Sequence, residues 1–325
     1  MKSITIVIPN YNGMRFLEGC LKSLEAQTDR DFEILMIDNG STDGSVSWVR
    51  EHYPAVRIRA YRHNTGFCKA VNAGIRLSRT KYVLLLNNDV VCDPNMVRML
   101  HQAMDRKRRA FSCCAKLLNM ADPSKIDDAG DFYSLPGWAL ARGKGEDSGL
   151  YSTEEKIFAC CAACAIYRRS MLDQTGLFDE RHFAYLEDID IGWRAQRFGF
   201  ENWYIPAAIV YHAGSATSGS RHNAFKVRLA ARNNIWMIKK NMTPLQIMGN
   251  LPFLAAGLGV KWAYFTRKGL GEEYAGGVWQ GLKTVGKIPG PLASQRSECR
   301  KLELQLLKGS LVQIKGALRM RGKTE

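Results

Sequence analysis

Ile4-Thr-Ile-Val-Ile-Pro-Asn-Tyr-Asn-Gly13 opens the chain with a short β-branched run that stops at a proline and a polar turn. Such a run reads as a buried strand whose end reaches solvent. The pattern returns at residues 32–37 before Asp38-Asn39-Gly40-Ser41, at residues 56–61, and at residues 82–86 before Asn87-Asn88-Asp89. Helical patterns lie between these runs. Residues 14–26 carry Phe16, Leu17, Cys20, Leu21 and Leu24 at helical spacing, Asp43 or Ser41 can cap a helix through Arg50, and residues 66–78 form another. This alternation predicts an α/β fold, a mostly parallel sheet flanked by helices on both faces.

In such sheets ligands gather at the carboxyl ends of the strands. Asn10-Tyr11-Asn12, Asp38-Asn39 and Asn87-Asn88-Asp89 all fall at strand ends, so a polar site is expected along one sheet edge. Neither GxGxxG after the first strand nor GxxxxGK[ST] occurs. A dinucleotide-dependent dehydrogenase and a P-loop enzyme are thereby disfavoured.

Composition divides the 325-residue chain in two. Residues 1–220 carry 27 Lys+Arg against 26 Asp+Glu, whereas residues 221–325 carry 19 against 5. A neutral domain over 1–220 and a basic helical region over 221–325 are expected, the second facing a negative partner such as nucleic acid or an anionic membrane surface. An apolar content of 46% with 24% charged residues excludes a disordered or collagen-like chain. The nine cysteines are irregularly spaced, which argues against a disulfide framework and fits a reducing cytoplasm. Cys161-Ala-Ala-Cys164 lies in an apolar run over 158–167 that reads as a strand, so burial is expected there rather than metal or redox chemistry. Met1-Lys2-Ser3-Ile4 has no signal-peptide layout.

Three places carry candidate chemistry. Asp89 at a strand end suits a hard divalent cation bridging phosphates. Glu187-Asp188-Ile189-Asp190 packs three carboxylates into four positions. At a helix start Glu187 and Asp190 share one face while Asp188 points elsewhere. Crowding can raise one carboxyl into the range of a general base; equally, first-turn acids simply complement the helix dipole. His212, after an apolar strand at 205–211, is either structural or a metal ligand beside the acidic cluster.

Taken in order, these segments resemble family 2 inverting glycosyltransferases of the GT-A fold. Ile6 to Asn12 resembles the opening strand, Met36 to Asp43 the second strand end, and Asn64-Thr-Gly-Phe67 with Asn72 and Gly74 the third loop and helix. Leu84 to Asp89 resembles a metal motif that keeps only its last acid, Glu187-Asp188 with Asp190 and Arg194 the ED motif, and His212 the late metal-binding histidine. The resemblance covers residues 1–220 and implies roles. Pro9, Tyr11 and Asp38 would hold base and ribose of a nucleotide-diphosphate sugar donor, Asn64 and Gly66 would line the donor pocket, Arg194 would help phosphate or carboxylate geometry, and Asn12, Asn88 and Trp193 would complete substrate binding. Asp89 and His212 would hold Mg²⁺ or Mn²⁺. Asp188 would be the catalytic base, with Glu187 in support and Asp190 stabilising the helix. No QxxRW follows Asp188, the local text being Arg194-Ala-Gln-Arg-Phe198, so addition of one or a few sugars is implied. The pattern looks most like bacterial rhamnosyltransferase-type members.

The basic region resembles the post-catalytic helices of these enzymes, with Arg228, Arg232 and Asn233 on a helix over 221–240. Residues 242–260 carry no charge, and Lys261, Trp262, Tyr264, Arg267 and Lys268 follow. This favours an interfacial or re-entrant segment over a buried helix pair or a true span. A last helix over 302–320 adds Lys308, Lys315 and Arg319. No nucleic-acid motif accompanies these cations, so nucleic acid is not expected as partner. The whole reads as a metal-dependent hexosyltransferase at the cytoplasmic face of the inner membrane, peripheral or monotopic. It would move one hexose, rhamnose among the candidates, to a polyprenyl-diphosphate-linked glycan acceptor in cell-surface polysaccharide synthesis. A homo-oligomer remains open, because the apolar tail can meet lipid or another copy. The rival readings are a nucleotidyltransferase on a similar sheet and a non-catalytic glycan-binding subunit.

Overall fold

The computed structural model describes residues 2–214, 222–291 and 296–321. The expected alternation is present: β1 (Ile4–Asn10), α1 (Met14–Glu25), β2 (Phe32–Asp38), α2 (Ser45–His52), β3 (Arg57–Ala60), α3 (Phe67–Leu77) and β4 (Tyr82–Leu86). Then come β5 (Val90–Cys92), α4 (Met96–Arg106), β6 (Ala110–Asn119), β7 (Ile126–Asp128), β8 (Asp131–Tyr133), β9 (Ala139–Ala141) and β10 (Glu155–Ile157). β11 (Cys164–Arg168), α5 (Arg169–Thr175), α6 (Glu187–Arg197) and β12 (Glu201–His212) complete the sheet-bearing part. Four helices follow: α7 (Ala224–Asn241), α8 (Pro244–Arg267), α9 (Gly271–Thr284) and α10 (Arg296–Arg321).

The main sheet runs β10-β12-β6-β11-β4-β1-β2-β3, with β5 on β12 and β7 on β6, while β8 and β9 form a separate ribbon. The parallel character predicted from the first repeats holds for β4-β1-β2-β3. The rest is mixed, because β11 enters antiparallel between β4 and β6. β1 and β4 are buried on both faces. Val7, Val83 and Leu85 join α3 in one core, and Ile6, Ile8, Leu84 and Leu86 join α1 and α4 in the other. α3 lies so close to β1 that a Cβ on Gly74 would stand 2.2 Å from a Val7 methyl. That contact fixes the loop before α3 over the end of β1.

Several local expectations need correction. The strand expected over 158–167 is confined to Cys164–Arg168. Upstream, the Phe158 carbonyl is taken by the side chains of Gln196 and Asn202 instead of a strand neighbour. The α2 cap is Gly44, at φ 82, rather than Asp43 or Ser41. Asp43 instead ties two helix starts, accepting from the amides of Met14 and Ser45.

The boundary expected at 220/221 and Arg221 lie outside the described residues, as do the side chains of Lys315 and Arg319. α7 is buried against α6 through Asn241 and Lys240, which bond Asp190. α9 crosses α7 at very close range: a Cβ on Gly277 would sit 2.3 Å from the Arg228 carbonyl, and one on Gly281 2.8 Å from Ile235 Cβ. The uncharged stretch expected at the membrane falls almost wholly in a 24-residue helix, α8, which is started by a Thr243–Gln246 capping box, carries Pro252 and runs on through Lys261 to Arg267. Only Asn250, Leu254 and Gly257 of α8 are buried. Leu245, Met248, Leu251, Phe253, Val260, Trp262 and Tyr264 are exposed. No helix among the described residues is long and apolar enough to cross a membrane.

Candidate active site

The carboxyl ends of β1, β2 and β4 converge on a cavity of about 700 Å³. Of the residues singled out in the sequence, Pro9, Tyr11, Asn64, Asn88, Asp89, Glu187, Asp188 and His212 line it. They are joined by Asn10, Asn39 and Asn87 from the same strand ends, and by Phe67, Cys161, Phe183, Tyr185, Phe225 and Lys226. A chain of amide bonds sets the floor. Asn88 Nδ2 donates to Asn10 Oδ1 at 2.7 Å, and Asn10 Nδ2 donates to Asp38 Oδ1 at 2.9 Å. On the neighbouring wall Asn39 Nδ2 donates to Asn64 Oδ1 at 2.9 Å and to the Gly66 carbonyl at 3.1 Å.

Five predicted substrate contacts do not line the cavity. Asp38 is buried behind it, where its carboxylate accepts from Asn10 and from the amides of Gly40 and Ser41. Asn12, at φ 49, braces the neighbouring loop through Thr42 N. Gly66 is structural: at φ 89 its missing side chain leaves room for Phe183, whose ring would lie 2.6 Å from a Cβ. Trp193 is fully buried, packed between Tyr133 and Phe158. Arg194 is buried as well. It donates to Asp190 at 3.0 Å and to the carbonyls of Thr175, Gly176 and Leu177, which leaves no group for substrate.

The acidic cluster divides differently from the helical-face expectation. Glu187 and Asp188 both reach the cavity, whereas Asp190 turns to α7. Burial pushes Glu187 up to about 8, with the Asp188 charge adding to the effect. Burial also raises Asp188 to about 6, against the amide of Ile189, which donates to Oδ1 at 2.8 Å. Burial thus holds both carboxyls above the ordinary carboxylate range, Glu187 further than Asp188. This divided pair is what a general base with a neutral neighbour requires.

Across the cavity, Asp89 Oδ1 is buried without a hydrogen bond and lies 3.4 Å from His212 Nε2. His212 Nδ1 lies 2.8 Å from Asp127 Oδ2, and Asp127 is held by Lys144. Burial opposes the imidazolium, but Asp127 and Asp89 outweigh it and raise His212 to about 9. A divalent cation taking the place of the Nε2 proton would find the Asp89 oxygen and the imidazole nitrogen as a donor set, with Asp127 in the orienting position such histidines commonly have. Sequence reading missed Asp127, which stands 85 positions from its partner.

A second group also escaped notice. Asp128, Asp131 and Cys161 bring their ligand atoms within 4.8 Å of one another. Burial pushes Asp128 up to about 6 and raises Asp131 and the Cys161 thiol well beyond their ordinary values. Of the CxxC pair, Cys164 is buried as expected and Cys161 borders the cavity.

Together, this sheet and this strand-end cavity define a glycosyltransferase of the GT-A type. Solved structures agree in fold. The chain superposes on GalNAc-T7 solved with UDP, GalNAc and Mn²⁺ with a TM-score of 0.58 at 14% identity, covering 73% of this chain and 48%, about half, of that one. It superposes on a Pyrobaculum calidifontis mannosyltransferase solved with GDP-Man and Mn²⁺ with a TM-score of 0.56 at 14% identity, covering 86% and 87%. The sequence profile named Glycosyl transferase family 2 matches residues 5–176, and the chain belongs to that family. A relative from Mycobacterium tuberculosis, N-acetylglucosaminyl-diphospho-decaprenol L-rhamnosyltransferase, is 29% identical over 267 residues, which span 72% of this chain and 86% of the relative.

Proposed function

We infer that the protein is an inverting, divalent-metal-dependent hexosyltransferase that transfers one sugar, with rhamnose the first candidate, from a nucleotide-diphosphate donor to a polyprenyl-diphosphate-linked glycan. The observation that carries this reading is the meeting of Glu187–Asp188 with Asp89 and His212 in one cavity. Pro9, Tyr11 and Asn64, which line the cavity, would hold the nucleoside, with Asp38 and Asn12 acting from behind. Asp188 removes the proton from the acceptor hydroxyl. That oxygen bonds to the anomeric carbon as the bond to the diphosphate breaks, the nucleoside diphosphate leaves with the electron pair, and configuration inverts. A Mg²⁺ or Mn²⁺ ion held by Asp89 and His212 would offset the charge of the leaving diphosphate. The lipid-linked acceptor is supported by what the mycobacterial relative's name states.

Nucleotide release from dTDP-rhamnose, UDP-GlcNAc and GDP-mannose with Mn²⁺, with and without a chelator, tests the class. Chelator-sensitive release from one donor is expected. The Asp89→Ala variant should lose the Mn²⁺ dependence of donor binding, and binding that ignores both chelator and substitution would refute the metal site.

The membrane reading rests on α8. Its exposed face is apolar and uncharged between residues 242 and 260, and Lys261, Arg267 and Lys268 follow. At 24 residues the helix is roughly 36 Å long, enough for a continuous in-plane contact with lipid. In flotation with phosphatidylglycerol vesicles the wild-type chain should rise with the lipid. Leu245→Glu with Met248→Glu should weaken that association by about 10-fold or more, two apolar contacts having become charges. Equal flotation of both proteins would place the membrane contact elsewhere.

A further inference from the structure

The turn that leads into α6 departs from ordinary backbone geometry at three non-glycine residues, Phe183 (φ 64), Tyr185 (φ 71) and Leu186 (φ 65). Phe183 centres a γ-turn, with its ψ at −61 and the Ala184 amide donating to the His182 carbonyl at 2.8 Å. This is the rare, strained form of that turn. Bulky residues keep such conformations only where their surroundings hold them.

The restraint comes from α7. Asn233 is fully buried, and its Nδ2 lies 3.0 Å from the His182 carbonyl, 2.9 Å from that of Ala184 and 2.9 Å from that of Tyr185. Arg232 donates to Asn233 Oδ1 from Nε at 3.1 Å and from Nη2 at 2.9 Å. The guanidinium thereby turns the amide's N–H groups toward the turn, since only they can donate to carbonyls. Arg232 Nη2 also reaches the His182 carbonyl, at 3.2 Å, and its guanidinium stacks 4.2 Å over the Trp236 ring. Phe183 and Tyr185 line the cavity, and Glu187 and Asp188 follow them directly.

We propose that Asn233 is a positioning residue that clamps the turn over 182–186 and so sets where Glu187 and Asp188 enter the cavity. The proposal rests on the reading of Asp188 as the base. Asn233 does not itself line the cavity, and its effect passes through three backbone carbonyls. Releasing them lets the turn relax toward ordinary dihedrals, and a displacement of about 1 Å at a reacting group can cost about 10²-fold in rate.

The test uses the full chain carrying Asn233→Asp, which keeps the volume of the side chain and removes its donors. Backbone amide exchange over residues 183–190 should accelerate while β1 and β4 keep wild-type protection. With whichever of dTDP-rhamnose, UDP-GlcNAc and GDP-mannose supports release, kcat should fall by about 10²-fold with donor KM unchanged. Wild-type kcat and exchange in the variant would overturn the proposal. So would a parallel loss of kcat, KM and protection across the whole sheet, which would make Asn233 a purely structural residue. If N233D does not fold, Arg232→Met keeps an apolar cover on Trp236 and frees the amide, and it should show the same local exchange with a smaller fall in kcat. Unchanged exchange in R232M would then refute the clamp. Exchange needs no substrate, so the clamp is judged even where Asp188→Asn transfers normally and the base assignment fails.

Discussion

Asp188→Asn is expected to lower sugar transfer by about 10²–10⁴-fold, the usual contribution of a positioned base, while nucleotide affinity stays at the wild-type level. The substitution keeps shape and removes the acceptor of the proton. The pH profile carries a second signature. Burial raises Asp188 to about 6, so the wild-type rate should climb as pH rises through that value and the base ionises. Glu187, pushed to about 8 by burial and by Asp188, stays protonated over the same range. Glu187→Gln therefore imitates its neutral form and should retain far more activity at pH 7 than D188N. The rise through pH 6 should survive in E187Q and vanish from the residual rate of D188N. Normal transfer by D188N would remove Asp188 from the reaction.

The largest effect on stability is expected at Asp190. Its carboxylate, fully buried, accepts from Arg194, Lys240 and Asn241. Burial opposes its ionisation, yet Arg194 and Lys240 outweigh that penalty and hold it well below the usual carboxylate range. Asp190→Ala leaves Arg194 buried without its counter-charge, so unfolding free energy should fall by about 3–5 kcal/mol. Because the folded carboxyl titrates below its unfolded value of 3.8, the stabilisation is complete above that value and is lost as pH falls toward the folded one. The gap between wild type and D190A in denaturant midpoint should accordingly be wide at pH 7 and narrow as the pH drops below 3.8. A gap that does not change with pH would assign the loss to packing instead of charge.

Much of this molecule is legible in its amino-acid sequence. The apolar runs ending at Pro9, Asp38 and Asp89 located β1, β2 and β4, because a strand buried on both faces leaves an unbroken apolar signature. The polar residues at those ends located the cavity, since strand ends in such sheets face one edge. What escaped depends on distance in the chain. Asp127 meets His212 only because β6 runs beside both β7 and β12. Trp193 and Arg194 follow the acidic motif in sequence but rotate about the α6 axis into the core, and a motif in one dimension does not report that rotation. Phe183 and Tyr185 were invisible for another reason: left-handed dihedrals at bulky residues are imposed by tertiary bonds, here from α7, against local preference.

The glycines at 277 and 281 bear on a different matter. They let α9 approach the α7 backbone so closely that any side chain there would strike it. The seam also buries Val227 and Ala231 of α7 against Tyr274 of α9, so dispersion and the expulsion of water both hold it. α7 and α9 should therefore move as one unit: Gly277→Leu would drive a side chain into the Arg228 carbonyl and should part the pair, which a gain in solvent exposure at Trp236, bonded to Thr284 of α9, would report.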